Sequence, residues 1–192
     1  MIIGLVGYTD KRPVIYPLLK ILQTAGESCF ITRDRRYLRL TENHENLGHY
    51  QNIMIVVTDE PSDQMWENLE LNPSAFDHVV YDISCDDLPE KLDLVYICHT
   101  IQPEEGEEDF WECLPENNTK HLKFMYDNTT IKDATKVPIS SALWKYCETV
   151  ESLKVMPSFT DSSIAGFLSK DLATYLNVTP QLIVKILKED WK

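Results

Sequence analysis

The sequence predicts a doubly wound α/β fold, a mostly parallel sheet with helices on both faces, from two observations. Six short apolar runs recur along the 192 residues, and each is continuous rather than alternating, as strands covered on both faces require. Longer segments of helical or polar character separate them, which is the grammar of crossover connections. The first strand is Ile2 to Val6, and Pro13 to Ala25 follows with apolar residues at helical spacing, closed by Gly26. Further strands are expected at Cys29 to Ile31, Ile53 to Thr58, Val79 to Ile83, Leu94 to Cys98 and Leu122 to Tyr126. Between them, Ser62 to Leu71 reads as a helix with Ser62 as N-cap, and Glu107 to Leu114 as another with Phe110, Trp111 and Leu114 on one side. Ser162 to Leu176 and Pro180 to Trp191 are amphipathic helices joined at Asn177-Val178-Thr179, where Thr179-Pro180 is a natural cap and first-turn pair. One domain spanning 1–192, with 162–192 as a C-terminal helical hairpin, accounts for the length.

Charge and composition narrow the function. Eighteen Lys and Arg against 31 Asp and Glu give a net charge of −13, so this acidic protein is unsuited to coating nucleic-acid phosphates or anionic lipid unless its bases gather on one face. No apolar run approaches the ~20 residues of a membrane span, and the N-terminus lacks the basic region of an export signal, so a soluble, cytoplasmic protein without membrane insertion is expected. Cys29, Cys85, Cys98, Cys113 and Cys147 are odd in number and lack C-x-x-C spacing, while His44, His49, His78, His99 and His121 are scattered. Neither a disulfide framework nor a metal centre is expected, and the serines offer no G-x-S-x-G elbow. Among the many acids only Asp34 and Asp82 stand out as a strand-end pair. The acidic stretch Pro103 to Glu116 reads as a solvated face, with Phe110 and Trp111 as core anchors.

In an open parallel sheet a ligand sits beyond the carboxyl ends of the strands, which directs attention to the loop Gly7-Tyr8-Thr9-Asp10-Lys11-Arg12. Here the chain resembles the ParA/MinD branch of the P-loop (SIMIBI-class) ATPases, whose first loop reads approximately K-G-G-x-G-K-T-T. Aligned on the following helix, Val6 to Pro13 occupies those eight positions. Phe76 to Asp82 resembles the family's strand ending in its metal-region aspartate, and Leu92 to Ile97 its next strand. Val137-Pro138-Ile139 followed by Ala142-Leu143-Trp144 resembles a late I-P segment and short helix, and Ser162 to Leu176 the closing helix. The likeness implies a P-loop NTPase fold and a nucleotide site at Gly7, Asp10, Lys11, Arg12, Asp34 and Asp82.

The departures from that pattern imply that the site has decayed. Asp10 stands where the last glycine belongs and would face the phosphates; Tyr8 adds bulk, and Arg12 replaces the hydroxyl that would hold Mg²⁺. Val6 stands at the signature lysine that reaches into a partner's site. A pseudo-ATPase with a degenerate Walker A loop, acting as a binding, positioning or assembly adaptor, is therefore expected. No cofactor and no catalytic residue are expected, and ATP or ADP with Mg²⁺ enters only if the altered loop still binds. Relatives with atypical first loops, the TadZ/CpaE group, assemble membrane-associated machinery, which makes a protein partner of that kind the implied setting, with a homodimer through another face left open. Two alternatives remain. A weak nucleotide switch or ATPase would use Lys11 with Arg33, Arg35, Arg36 and Arg39, four arginines in seven residues that could equally meet an anion or an acidic partner. A DNA-binding regulator would use the helix-turn-helix-like stretch Ser169 to Leu187, with Gln181, Lys185 and Lys188 at the groove.

Overall fold

A computed structural model describes residues 1–99, 105–114, 118–125 and 134–190. In chain order the strands are β1 (Ile2–Val6), β2 (Ser28–Thr32), β3 (Leu47–Tyr50), β4 (Ile53–Val57), β5 (His78–Ile83), β6 (Leu94–His99), β7 (Thr119–Met125) and β8 (Thr135–Pro138). The helices are α1 (Arg12–Leu22), α2 (Met65–Asn68), α3 (Glu107–Glu112), α4 (Ser141–Leu153), α5 (Ser162–Leu176) and α6 (Pro180–Lys188), with a 3-10 turn at Arg35–Leu40. The strands form one sheet in the order β3-β4-β2-β5-β1-β6-β7-β8, and every pairing is parallel except that of β3 with β4. The expected α/β architecture is the one observed.

Alternation along each central strand builds two cores. Ile3, Leu5, Phe30, Val80 and Tyr96 face α1, α4, α5 and α6, while Val6, Ile31, Tyr81, Val95 and Ile97 face Met65, Leu114 and the partly buried Phe110 and Trp111. Helices do lie on both faces, but unequally: the long ones cover the first, and among the described residues only short α2 and α3 cover the second. α1 is enclosed on every side, with Val14, Ile15, Tyr16, Leu18, Leu19, Ile21 and Leu22 fully buried, each worth roughly 1.5–3 kcal/mol. Its Lys20 is also fully buried and donates to the carbonyls of Pro157 (2.8 Å), Leu187 (3.0 Å) and Glu189. The ammonium thus caps the C-terminal end of α6, where unsatisfied carbonyls carry partial negative charge.

Three expectations need correction. The helix expected from Ser62 shrinks to the four residues of α2, because the Ser62 amide and hydroxyl bind the Asp87 carboxylate (2.8 and 3.0 Å) instead of capping a helix. The short helix expected at Ala142 to Trp144 is the thirteen-residue α4, with Ser140 as cap. The edge strands β3, antiparallel to β4, and β8, parallel to β7, are not among the six strands expected from the sequence. Helix α5 has the expected bounds, capped by Asp161, and α6 begins at Pro180, capped by Thr179. Tyr126, Trp191 and the acidic residues Glu104 and Glu116 lie outside the described residues.

Candidate functional site

The loop after β1 is shaped first by Gly7. Its φ is +130°, and a Cβ there would sit 2.4 Å from the Cys98 carbonyl oxygen, so both conformation and space demand glycine. The Gly7 amide bonds to the Ile83 carbonyl at 3.0 Å, and the Tyr8 amide to the buried Glu107 carboxylate at 3.4 Å, while the Tyr8 side chain turns outward.

Lys11 is buried at 6% exposure. Its ammonium pairs with Asp82 Oδ1 at 2.9 Å and donates to the carbonyls of Ile83 (3.1 Å) and Gly7. The other Asp82 oxygen accepts from the Thr32 hydroxyl at 2.7 Å, and the Asp34 amide donates to that hydroxyl at 3.0 Å. The ends of β1, β2 and β5 are thereby tied together by Lys11, Thr32 and Asp82, and Asp34 and Asp82 are brought to one side of the loop.

Asp10 is engaged by arginines. Its carboxylate turns to the guanidinium of Arg12 (2.6 Å) and of Arg36 (2.5 Å), and it also accepts from the Arg12 amide at 3.2 Å. Burial pushes this carboxyl up, but the hydrogen bonds and charge of Arg12, with Arg36 beside it, hold it below its ordinary value. Arg12 also reaches Glu151 of α4 at 2.7 Å and lies 5.6 Å from the Trp144 ring centroid. Glu151, whose side chain is 1% exposed, further accepts from the Tyr16 hydroxyl at 2.8 Å and Arg39 at 3.1 Å.

The arginine cluster is therefore almost wholly committed within the chain. Arg33 pairs with Asp86 and Asp87, Arg36 with Asp34 and Asp10, and Arg39 with Glu151. Arg35 is exposed and makes no ion pair among the described residues. What remains open beside the loop is a cavity of about 140 Å³ lined by Gly7, Tyr8, Thr9, Lys11, Arg33, Asp34, Arg36, Asp82 and Ser84.

A phosphate cradle needs backbone donors, a mobile lysine and, for Mg²⁺, a hydroxyl at the helix start. Here the amides of Gly7, Tyr8 and Arg12 are bonded to Ile83, Glu107 and Asp10, and Pro13 has no N–H. Lys11 is locked onto a carboxylate, and a guanidinium occupies the hydroxyl's place. As arranged, these donors are engaged by acceptors within the chain. The roles of Glu107, Glu151 and Tyr16 are not visible in the sequence, since nothing local marks residues that act through partners tens of positions away.

The C-terminal hairpin turns through Asn177 in the left-handed conformation, and α6 buries Ile183 and Leu187. Gln181, Lys185 and Lys188 are exposed as expected, beside exposed Leu182, Glu189 and Asp190; the Lys185 ammonium lies 4.0 Å from the Glu189 carboxylate. None of the five cysteines is in a disulfide, and burial pushes the thiols of Cys29, Cys98 and Cys147 up to about 12. Among the described residues no cluster of three or more His, Cys, Asp or Glu could hold a metal, and no helix is long and apolar enough to cross a membrane.

No protein-family profile matches the chain, and no curated protein matches it. Among solved structures it is similar to the MinD cell division protein of Aquifex aeolicus, with a TM-score of 0.52 and 12% identity over 92% of this chain and 97% of that one. At that identity the likeness speaks to architecture alone, and with the eight-stranded sheet it shows a MinD-like α/β fold.

Proposed function

We propose that this chain is a ParA/MinD-type pseudo-ATPase that works by binding, as an adaptor that positions or assembles a protein partner. The observation that carries the reading is the commitment of the loop after β1: Lys11 is paired with Asp82, and the amides of Tyr8 and Arg12 are spent on Glu107 and Asp10. A phosphate entering there would have to displace carboxylates that are tethered at no translational cost. The partner is a protein, and a membrane-associated assembly of the kind served by TadZ/CpaE-like relatives is the proposed setting. With Val6 at the place of the signature lysine, any homodimer uses a face other than the nucleotide face.

Calorimetric titration with ATP, ADP, GTP and GDP, with and without Mg²⁺, tests this directly, backed by thermal shift at millimolar ligand. Absence of saturable heat and of a shift is the expected result, since any ligand binding the native state must raise its melting temperature. Saturable Mg²⁺-dependent binding abolished by Lys11→Ala would overturn the reading in favour of a nucleotide switch. Salt-sensitive DNA binding weakened by Lys185→Ala would instead favour the regulator.

A further inference from the structure

On the opposite side of the sheet's centre, the starts of β7 and β8 and the inner turn of α5 enclose an open groove of about 520 Å³. Thr119, Lys120 and His121 come from β7, Thr135 from β8, and Phe167, Lys170 and Asp171 from α5. The volume falls in the range of ordinary small-molecule sites, roughly 300–1,000 Å³, whereas the cavity beside the β1 loop is 140 Å³.

The charges here are arranged in the opposite sense to those of the β1 loop. Lys120 and Lys170 are exposed, and neither makes an ion pair among the described residues. Asp171, half-buried, feels both lysines yet closes on neither; burial pushes its carboxyl up while their charges pull it down. The two ammonium groups thus keep donors available around a space instead of collapsing onto a carboxylate. Phe167 forms an apolar floor, braced edge-on by Tyr96 at 5.8 Å, and the Tyr96 hydroxyl beneath it is buried without a hydrogen-bond partner among the described residues. On the other face of the sheet, beside Trp111, His121 meets His99 nitrogen to nitrogen: the nitrogens are 2.7 Å apart, the centroids 5.0 Å and the planes within 14°. One of the two rings therefore donates and the other accepts, which fixes the stretch of β7 whose backbone borders the groove.

We infer that this groove binds a small organic dianion, with the ammonium groups of Lys120 and Lys170 holding its oxygens, the Thr135 hydroxyl completing the contact and Phe167 receiving its carbon skeleton. A phosphate monoester and a short dicarboxylate share this chemistry. On a chain of net charge −13, two lysines without an ion pair among the described residues, facing one cavity, give such an anion a local attraction. Asp171 is the built-in competitor that limits the affinity.

The test is an amide NMR titration of the full chain with inorganic phosphate, glycerol 3-phosphate and succinate, each against sodium chloride at matched ionic strength. Saturable shifts at Lys120, His121, Thr135, Lys170 and Asp171, with none at Gly7 to Arg12, are expected, and the stronger of the last two ligands identifies the class. Lys120→Ala and Lys170→Ala should each weaken binding about tenfold, and Asp171→Asn should strengthen it by a similar factor. Shifts that chloride reproduces, or that survive the double lysine variant, overturn the inference. Shifts confined to Gly7 to Arg12 overturn it as well, and they alone count against the proposed function.

Discussion

Two cationic regions of this molecule have the same raw material and opposite wiring. Around the β1 loop, Lys11, Arg12, Arg33, Arg36 and Arg39 each meet a carboxylate within the chain, and the remaining cavity is small. Beside α5, Lys120 and Lys170 meet none, and the cavity is several times larger. Most of the first region's positive charge is thus unavailable to an outside anion, the exception being Arg35, which with Arg33 lines a separate cavity of about 390 Å³. Counting basic residues says where charge lies along a chain; only the pairing says whether that charge is available.

The sharpest way to break this contrast is Glu151→Ala. One carboxylate serves Arg12, Arg39 and the Tyr16 hydroxyl inside the fold, so its removal leaves two guanidinium groups and a buried hydroxyl without their acceptor. A loss of about 4 kcal/mol is expected from the urea midpoint, in keeping with breaking a buried pair from one side. A variant as stable as the wild type would mean that these arginines are held loosely and are free for a ligand. Next in size is Lys11→Met, which strands Asp82 beside the Thr32 hydroxyl and should cost about 3 kcal/mol. Adding Asp82→Asn removes the stranded charge while keeping an oxygen for Thr32, and should bring the loss to about 1 kcal/mol. Simple addition of the two single losses would show that the pair is not coupled, and that Lys11 is available after all.

How much of this was legible beforehand depends on how far each interaction reaches. The strands at Ile2, Ile53, Val79 and Leu94 declare themselves in continuous apolar runs, and α5 carries its own cap at Asp161, so fold class and order needed only local information. Ser62 looked like a cap and was diverted by Asp87, twenty-five residues on. The run Leu47-Gly48-His49-Tyr50 has no strand signature of its own and pairs because β4 offers it an edge. At the candidate site the loop's position and Lys11 could be read, and so could Asp82, whose strand was recognisable. The orientation of Asp10 could not, because Arg36 and the Arg12–Glu151 pair decide it, and Glu151 lies 139 residues from Arg12. The groove was invisible for the same reason: Lys120 and Lys170 are unremarkable until β7 and α5 are laid side by side.

The β6–β7 end of the sheet should also show itself in acid. Burial, His121 and Lys123 lower the His99 pKa from 6.5 to about 4, so the folded chain resists a proton that the unfolded chain accepts. Between those values the unfolded state binds more protons, and stability therefore falls as pH drops from 6.5 toward 4. Urea midpoints across this window should follow that slope, and His99→Gln should flatten it relative to the wild type. An unchanged slope would mean that His99 is not held neutral against His121.

The smallest effect is expected at Arg33, and it tests the contrast from its weak side. Arg33 lines the β1-loop cavity, yet its own side chain and that of Asp86 are 34% and 50% exposed, unlike Glu151 at 1%. Water already screens both partners, so the pair should contribute little, and Arg33→Ala should change stability by no more than about 0.5 kcal/mol. That near-neutrality matters because Arg33 is then the loop cation whose carboxylates are cheapest to displace. If any anion reaches the β1 loop, its binding should be lost in Arg33→Ala while the midpoint stays put. If stability falls instead by as much as in Glu151→Ala, Arg33 belongs with Arg12 as a structural clasp, and the loop is closed on every side.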